Sequence, residues 1–299
     1  MAEPADGWLE RDGIDIHYLE WGRDAAGLGP AVLLLHGLSS NAHYWGRVAD
    51  NLSGRRIVAL DQRGHGLTGR PPRTPARPDG FAMNELLDDA MFAMQQLGLD
   101  RPIVAGHSWG ATVALELVAR HPDTASGLVF IDGPVQSASN LFTWEEGQAI
   151  MQPPLPRHSS FAQAMDDCRR DFGPAWGDDL EPFVVSRVML DGTSFVLTLT
   201  SQIRLELLRG LYESPVDQLW TQLEVPAAAL LARGGPGRMG DWKEKGTKRL
   251  EASAPRVEVR WFDTPHDIPL FVPAEIAAEI ERMARSGRAE LSSDTAAGQ

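Results

Sequence analysis

The stretch that most constrains this chain is Val104-Ala105-Gly106-His107-Ser108-Trp109-Gly110-Ala111. An apolar run over residues 102–105 passes through Gly-x-Ser-x-Gly straight into a helical pattern over residues 111–120. A strand that becomes a helix within so few residues crowds its own backbone, and glycine, lacking a Cβ, is the residue such crowding admits. The serine between the glycines stands at the tip of the turn, its hydroxyl open and helix N-terminal amides beside it. The pentapeptide alone is a modest signal; its placement between a buried strand and a helix gives it weight.

The same rhythm recurs along the chain. Residues 31–35 and 127–131 are continuous apolar runs, the pattern of strands buried on both faces, and 56–60, apolar after Arg56, reads as another such strand. Upstream, residues 8–10 and 14–21 flank Arg11-Asp12-Gly13 and predict a β-hairpin. Asn84 can cap a helix running to Leu97, which Gly98 ends, and the four prolines of residues 71–80 predict loop. Strands alternating with helices predict an α/β fold, a mostly parallel central sheet with helices on both faces.

From residue 134 the pattern changes. Amphipathic stretches near 160–172, 179–190 and 201–213 predict a mainly helical lid or cap insertion over residues 134–220, within which 194–200 reads equally as strand or helix. The α/β rhythm resumes with strands at 225–232 and 257–262, a polar helix near 241–252 and a last helix over 273–285. The core is therefore expected to comprise residues 1–133 and 221–285, with 286–299 a disordered tail.

Composition bounds the function. A net charge of -13 argues against nucleic acid as a partner. No apolar run reaches the ~18 residues that cross a bilayer, and the acidic N-terminus lacks a signal-peptide core, so the cytoplasm is the expected location. The single cysteine, Cys168, excludes an internal disulfide and a multi-cysteine metal site. No cofactor or metal is expected, and the expected partner is a small-molecule substrate. Lysine occurs only at positions 243, 245 and 248, and nothing in the sequence assigns those residues a role.

A serine hydroxyl becomes a useful nucleophile near neutral pH only with a base in hydrogen-bond reach and a third group to orient that base. In an open parallel sheet such groups gather beyond the carboxyl ends of the strands. Of the eight histidines, His266 fits best, four residues past the last apolar strand. His36, His65 and His107 belong to glycine-bearing turns and are expected to hold them by hydrogen bonds, while His43 is placed to line a pocket. Asp132 ends the strand after the Ser108 helix and is the favoured acid; Asp241, at a predicted helix start, is the alternative. Asp267 is discounted, because the chain would have to double back to reach its neighbour His266. The amides of Trp109 and Leu38 are the expected oxyanion donors.

Together the His36-Gly37 turn, Asp61-Gln62-Arg63-Gly64-His65-Gly66, the Gly106-His107-Ser108-Trp109-Gly110 turn and the late His266 resemble the α/β-hydrolase fold family, in family order. The resemblance covers residues 8–133 and 221–285. It implies a serine hydrolase with a Ser108, His266 and Asp132 triad, acting on esters, lactones, amides or certain carbon–carbon bonds. Serine at the nucleophile position argues against the dehalogenases and epoxide hydrolases of this fold, which react through an aspartyl ester. One departure is that the acid most members carry after the seventh strand, at about Gly237 or Arg238 here, is absent; a minority place it after the sixth, where Asp132 stands. The expectation is cleavage of a small, largely apolar ester or lactone, with Phe142, Trp144, Phe161, Phe183 and Met189 roofing the pocket. The alternatives are a lyase, cyclase or carbon–carbon bond hydrolase using His266 as base, or a ligand receptor on the same scaffold.

Overall fold

A computed structural model describes residues 3–25, 29–52, 54–71, 80–233 and 238–297. The prolines at 72, 75 and 78, on which the loop expectation mostly rests, lie outside the described residues. Strands β1 (Ala5–Arg11) and β2 (Ile14–Trp21) form the hairpin expected around Asp12-Gly13. There follow β3 (Val32–Leu35), α1 (Gly46–Asp50), β4 (Ile57–Leu60), α2 (Met83–Leu97), β5 (Ile103–His107), α3 (Trp109–Arg120) and β6 (Gly127–Ile131).

Beyond β6 the chain makes α4 (Trp144–Met151), β7 (Arg157–His158), α5 (Phe161–Phe172), α6 (Glu181–Arg187), β8 (Val188–Asp191), β9 (Ser194–Leu197), α7 (Ser201–Glu213) and α8 (Val216–Thr221). It then returns through β10 (Ala227–Ala232), α9 (Arg238–Ser253), β11 (Val257–Phe262), α10 (Ile268–Phe271) and α11 (Pro273–Ala297).

The main sheet has eight strands in the order β1-β2-β4-β3-β5-β6-β10-β11. Only the pairings of β2 are antiparallel; every pair from β4 across to β11 is parallel. The continuous apolar runs serve two cores at once, because alternate residues of a strand point to opposite faces. Leu33, Leu35 and Val104 pack with α2, α3 and α8 on one face. Val32, Leu34, Ile103 and Ala105 pack with α1 and α11 on the other.

Three expectations change. The helical stretch expected over 179–190 stops at Arg187, and β8 and β9, joined through Gly192-Thr193, pair with β7 in a three-stranded antiparallel sheet, so the segment left open at 194–200 is strand over Ser194–Leu197. Asp191-Gly192 between short apolar segments is the hairpin signal responsible. Helix α2 starts one residue before Asn84, burying Met83; Ala82 occupies the cap position and the Asn84 side chain accepts a bond from Arg120 instead. The last helix continues to Ala297, through most of the expected tail, with Ile276, Ile280 and Met283 anchoring it to the core. The sequence after Arg285 contains no proline to stop it.

The turn after β4 is built on a buried carboxylate. Asp61 accepts bonds from His17 Nδ1 (2.8 Å), the Ala42 amide (2.7 Å) and the Leu67 amide (2.8 Å). Burial alone would raise its pKa; the bond and charge of His17, with the bond from the Leu67 amide, outweigh burial and hold it below the ordinary value. Burial likewise opposes charge on His17, but its bonds to Asp61 and Asp6 lift its pKa above the ordinary value. Asp61→Asn is expected to cost about 3–5 kcal/mol of stability, measured by urea unfolding, because it strips a buried cation of its partner. Asp61, depressed, contributes above its ordinary value of 3.8 and loses that contribution as pH falls through its folded value. His17, elevated, contributes fully below its ordinary value of 6.5 and loses that contribution as pH rises through its folded value. The wild-type advantage over the variant is therefore widest between pH 3.8 and 6.5 and narrows above.

Candidate active site

Ser108 joins β5 to α3 with φ 56° and ψ −121°. A non-glycine residue held there stores about 1–3 kcal/mol of strain. The Ser108 amide donates to the Ile131 carbonyl (2.8 Å) and the Ser108 carbonyl accepts from Ala111 (3.0 Å), fixing the turn from both sides. A Cβ on Gly106 would lie 2.2 Å from the Gly110 carbonyl oxygen, and one on Gly110 would lie 2.3 Å from that of His36. Glycine at both positions is thus what allows α3 to pack against β5 and β3.

The structure brings Ser108, His266 and Asp132 together. His266 Nε2 lies 2.9 Å from Ser108 Oγ, and His266 Nδ1 lies 2.6 Å from Asp132 Oδ2. Asp132 is buried, and its other oxygen accepts from the Ala232 amide (2.8 Å) and from Lys243 Nζ (2.7 Å). Burial pushes this carboxyl up, but the bond and charge from His266 and the charge of Lys243 together hold it below the ordinary range. An ionised Asp132 accepts the Nδ1 proton, which leaves Nε2 free to accept from the serine hydroxyl. Asp241, the alternative acid, lies exposed in the first turn of α9. Asp267 does not turn back on its neighbour; it accepts from the Tyr44 hydroxyl (3.1 Å).

The loop carrying His266 has its own support. His107 Nε2 donates to the His266 carbonyl (3.0 Å), and the His107 ring stacks on Tyr44 at 5.0 Å. Burial, aided by the charge of His266, lowers the His107 pKa to about 4, so its ring is neutral at neutral pH. The residue inside Gly-x-Ser-x-Gly therefore holds His266 in place, a reach across 159 positions that the sequence does not announce.

The Leu38 turn is pinned by the other two turn histidines. His65 Nε2 accepts from the Ser39 amide (3.1 Å), and His36 Nε2 accepts from the Gln62 amide (3.0 Å). Burial lowers the pKa of both rings, which keeps them neutral acceptors. Trp109 is the first residue of α3, where an amide has no intrahelical acceptor.

These elements border a cavity of about 560 Å³ lined by Leu38, Ser108, Trp109, Asp132 and His266 together with apolar side chains. Of the five residues expected to roof it, only Phe142 lines it. Phe183 is buried against Tyr44 and Phe172, Phe161 packs on Phe195, Trp144 packs on Tyr212, and Met189 is exposed. Ile150 and Met151 of α4, Leu208 and Leu211 of α7, and Met239 and Trp242 of α9 take their place. An amphipathic pattern identifies an apolar face and leaves open which neighbour covers it. His43 is not among the lining residues. Cys168 is buried on α5, where burial raises its thiol pKa. Two cations missed in the sequence also reach the cavity, Lys243 and Arg204. Among the described residues there is no cluster of three metal-ligating side chains, and no helix long and apolar enough to cross a membrane.

A family model of the alpha/beta hydrolase fold matches residues 30–180. The chain belongs to this family. Epoxide hydrolase 3 of Xenopus tropicalis is 34% identical over 131 residues, covering 44% of this chain and 34% of that protein. Among solved structures, the thioesterase domain from the curacin biosynthetic pathway aligns with a TM-score of 0.75 at 19% identity, covering 94% of this chain and 100% of that one. E-2-(acetamidomethylene)succinate hydrolase aligns with a TM-score of 0.75 at 20% identity, covering 94% of this chain and 98% of that one. At such identities the structural likeness carries the fold alone. The matches to the curated relatives span between 29% and 43% of those proteins' lengths.

The family is one of hydrolases, and several chemistries occupy it. On the β5–α3 turn this chain carries a hydroxyl within hydrogen-bond reach of an imidazole.

Proposed function

We propose that the protein is a serine hydrolase that cleaves a small, largely apolar ester or lactone through an acyl-enzyme. The observation that carries this reading is the unbroken chain from Ser108 Oγ to His266 Nε2 and from His266 Nδ1 to Asp132 Oδ2. In the proposed reaction His266 takes the Ser108 proton as the hydroxyl attacks the substrate carbonyl. The Leu38 and Trp109 amides receive the oxyanion, each worth about 3 kcal/mol in the transition state. His266 then protonates the leaving group, and a water activated by the same imidazole releases the acid. Asp132 keeps the proton on Nδ1 and stabilises the imidazolium; Lys243 and the Ala232 amide hold Asp132 still. The apolar side chains of the lining favour substrates with an apolar segment next to the reacting carbonyl.

A fluorophosphonate probe tests the reading. Covalent labelling of Ser108, located by peptide mass spectrometry, together with turnover of short aryl esters or lactones, is the expected result. A folded preparation that neither labels nor turns over any such substrate overturns it and favours a base-catalysed lyase or a receptor.

A further inference from the structure

Among the described residues, one charge that lines the cavity has no counter-charge. Arg204, on α7, lines it together with Ser108 and His266. Its Nε and Nη2 donate to the Met151 carbonyl (3.3 and 2.9 Å), and its Nη1 donates to the Ser39 hydroxyl. A guanidinium carries five N–H groups, so these three bonds leave one hydrogen on Nη1 and one on Nη2 without an acceptor among the described residues. These two hydrogens, one on each terminal nitrogen, are charged donors of the kind a carboxylate accepts from.

The surrounding charges leave the guanidinium uncompensated. No carboxylate pairs with Arg204 among the described residues, and the acid lining this cavity, Asp132, is already engaged by His266 and Lys243. A second guanidinium, Arg187, is near enough to repel it, and burial and that repulsion both lower the Arg204 pKa. In a chain of net charge -13, an arginine left in this state within an apolar cavity is poorly explained by scaffolding alone. Tying a carbonyl to a hydroxyl needs no charge.

We propose that Arg204 is a specificity residue that binds a carboxylate on the substrate, so that the preferred substrates are short monoesters or thioesters of dicarboxylic acids. Ser39, which anchors the guanidinium, adjoins Leu38, so the anion site is coupled to the turn assigned to the oxyanion. The inference rests on the serine-hydrolase reading of this cavity, and it narrows the substrate from any apolar ester to one with an apolar spacer between a carbonyl and an acid.

The test pairs 4-nitrophenyl hemiglutarate with neutral 4-nitrophenyl valerate on the full chain. Wild type is expected to favour the hemiester in kcat/KM by about 10- to 100-fold, an increment typical of a charged hydrogen-bonded contact. Arg204→Gln is expected to erase that preference, chiefly through a rise in KM for the hemiester that valerate does not share. Equal rates for the two esters in wild type, or an equal fall for both in Arg204→Gln, overturns the proposal. Calorimetric titration of Ser108→Ala with glutarate makes the anion site readable without turnover. Glutarate binding that disappears in Ser108→Ala/Arg204→Gln supports the site even if no ester is cleaved, in which case only the hydrolase reading fails. No binding to Ser108→Ala overturns the site even if neutral esters are cleaved.

Discussion

Ser108→Ala is expected to lower turnover of the best ester substrate by about 10⁶-fold with no loss of stability. The magnitude follows from the way nucleophile and base act as one unit. Without the hydroxyl, His266 has nothing to activate for acyl transfer, and what remains is whatever the oxyanion donors and binding supply to an attacking water. Stability is unaffected because alanine keeps the Cβ and, among the described residues, the side chain of Ser108 bonds to His266 alone. The backbone permits a sharper form of the prediction. At φ 56° and ψ −121° the serine is strained, and glycine is not. Ser108→Gly is therefore expected to be as inactive as Ser108→Ala but more stable than wild type by about 1 kcal/mol, the strain relieved less the greater chain entropy of glycine. Burst-free ester assays and urea unfolding of the two variants provide both readings. Activity within tenfold of wild type in Ser108→Ala overturns the acyl-enzyme reading.

What the sequence makes legible here depends on how many neighbours each feature needs. Residues 32–35 are readable as strand because both faces are covered, which leaves an apolar run with no polar interruption. The short β8 and β9 are not, because most of their residues are exposed or half-buried and too few to set up a period. Their one clear mark is the Asp191-Gly192 turn. Ser108, His266 and Asp132 are legible because a strand's carboxyl end is a place the sequence can locate, and the sheet carries all three to one edge. Lys243 and Arg204 are not. Each acquires its meaning from a partner far along the chain: Asp132 is 111 positions from Lys243, and Ser39 is 165 from Arg204. The sequence places His107 in a local turn, whereas its bond goes to the His266 carbonyl. Alone, a buried charge or a ring in a glycine turn says only that something must satisfy it.

The choice between the two acids gives the other large effect: Asp132→Asn is expected to cost about 10⁴ in kcat, while Asp241→Asn stays within about twofold. The asparagine offers one oxygen where the aspartate offers two. If that oxygen faces His266, its NH₂ group points at the Ala232 amide and the Lys243 ammonium, placing donor against donors at 2.8 and 2.7 Å. If the oxygen instead takes those two donors, the NH₂ group faces His266 Nδ1 at 2.6 Å and demands a lone pair there. The second arrangement satisfies every group, one of them charged, so it prevails. It also moves the imidazole proton to Nε2, which then points at Ser108 Oγ and cannot accept its hydrogen. The loss is thus one of tautomer rather than of fold, and ¹⁵N NMR of the histidine ring should report Nε2 protonated in the variant and Nδ1 protonated in wild type. Asp241, exposed on α9, has no such geometry to upset. A crippled Asp241→Asn beside an active Asp132→Asn would move the acid from the edge of β6 to α9 and leave the Lys243–Asp132 pair a purely structural tie.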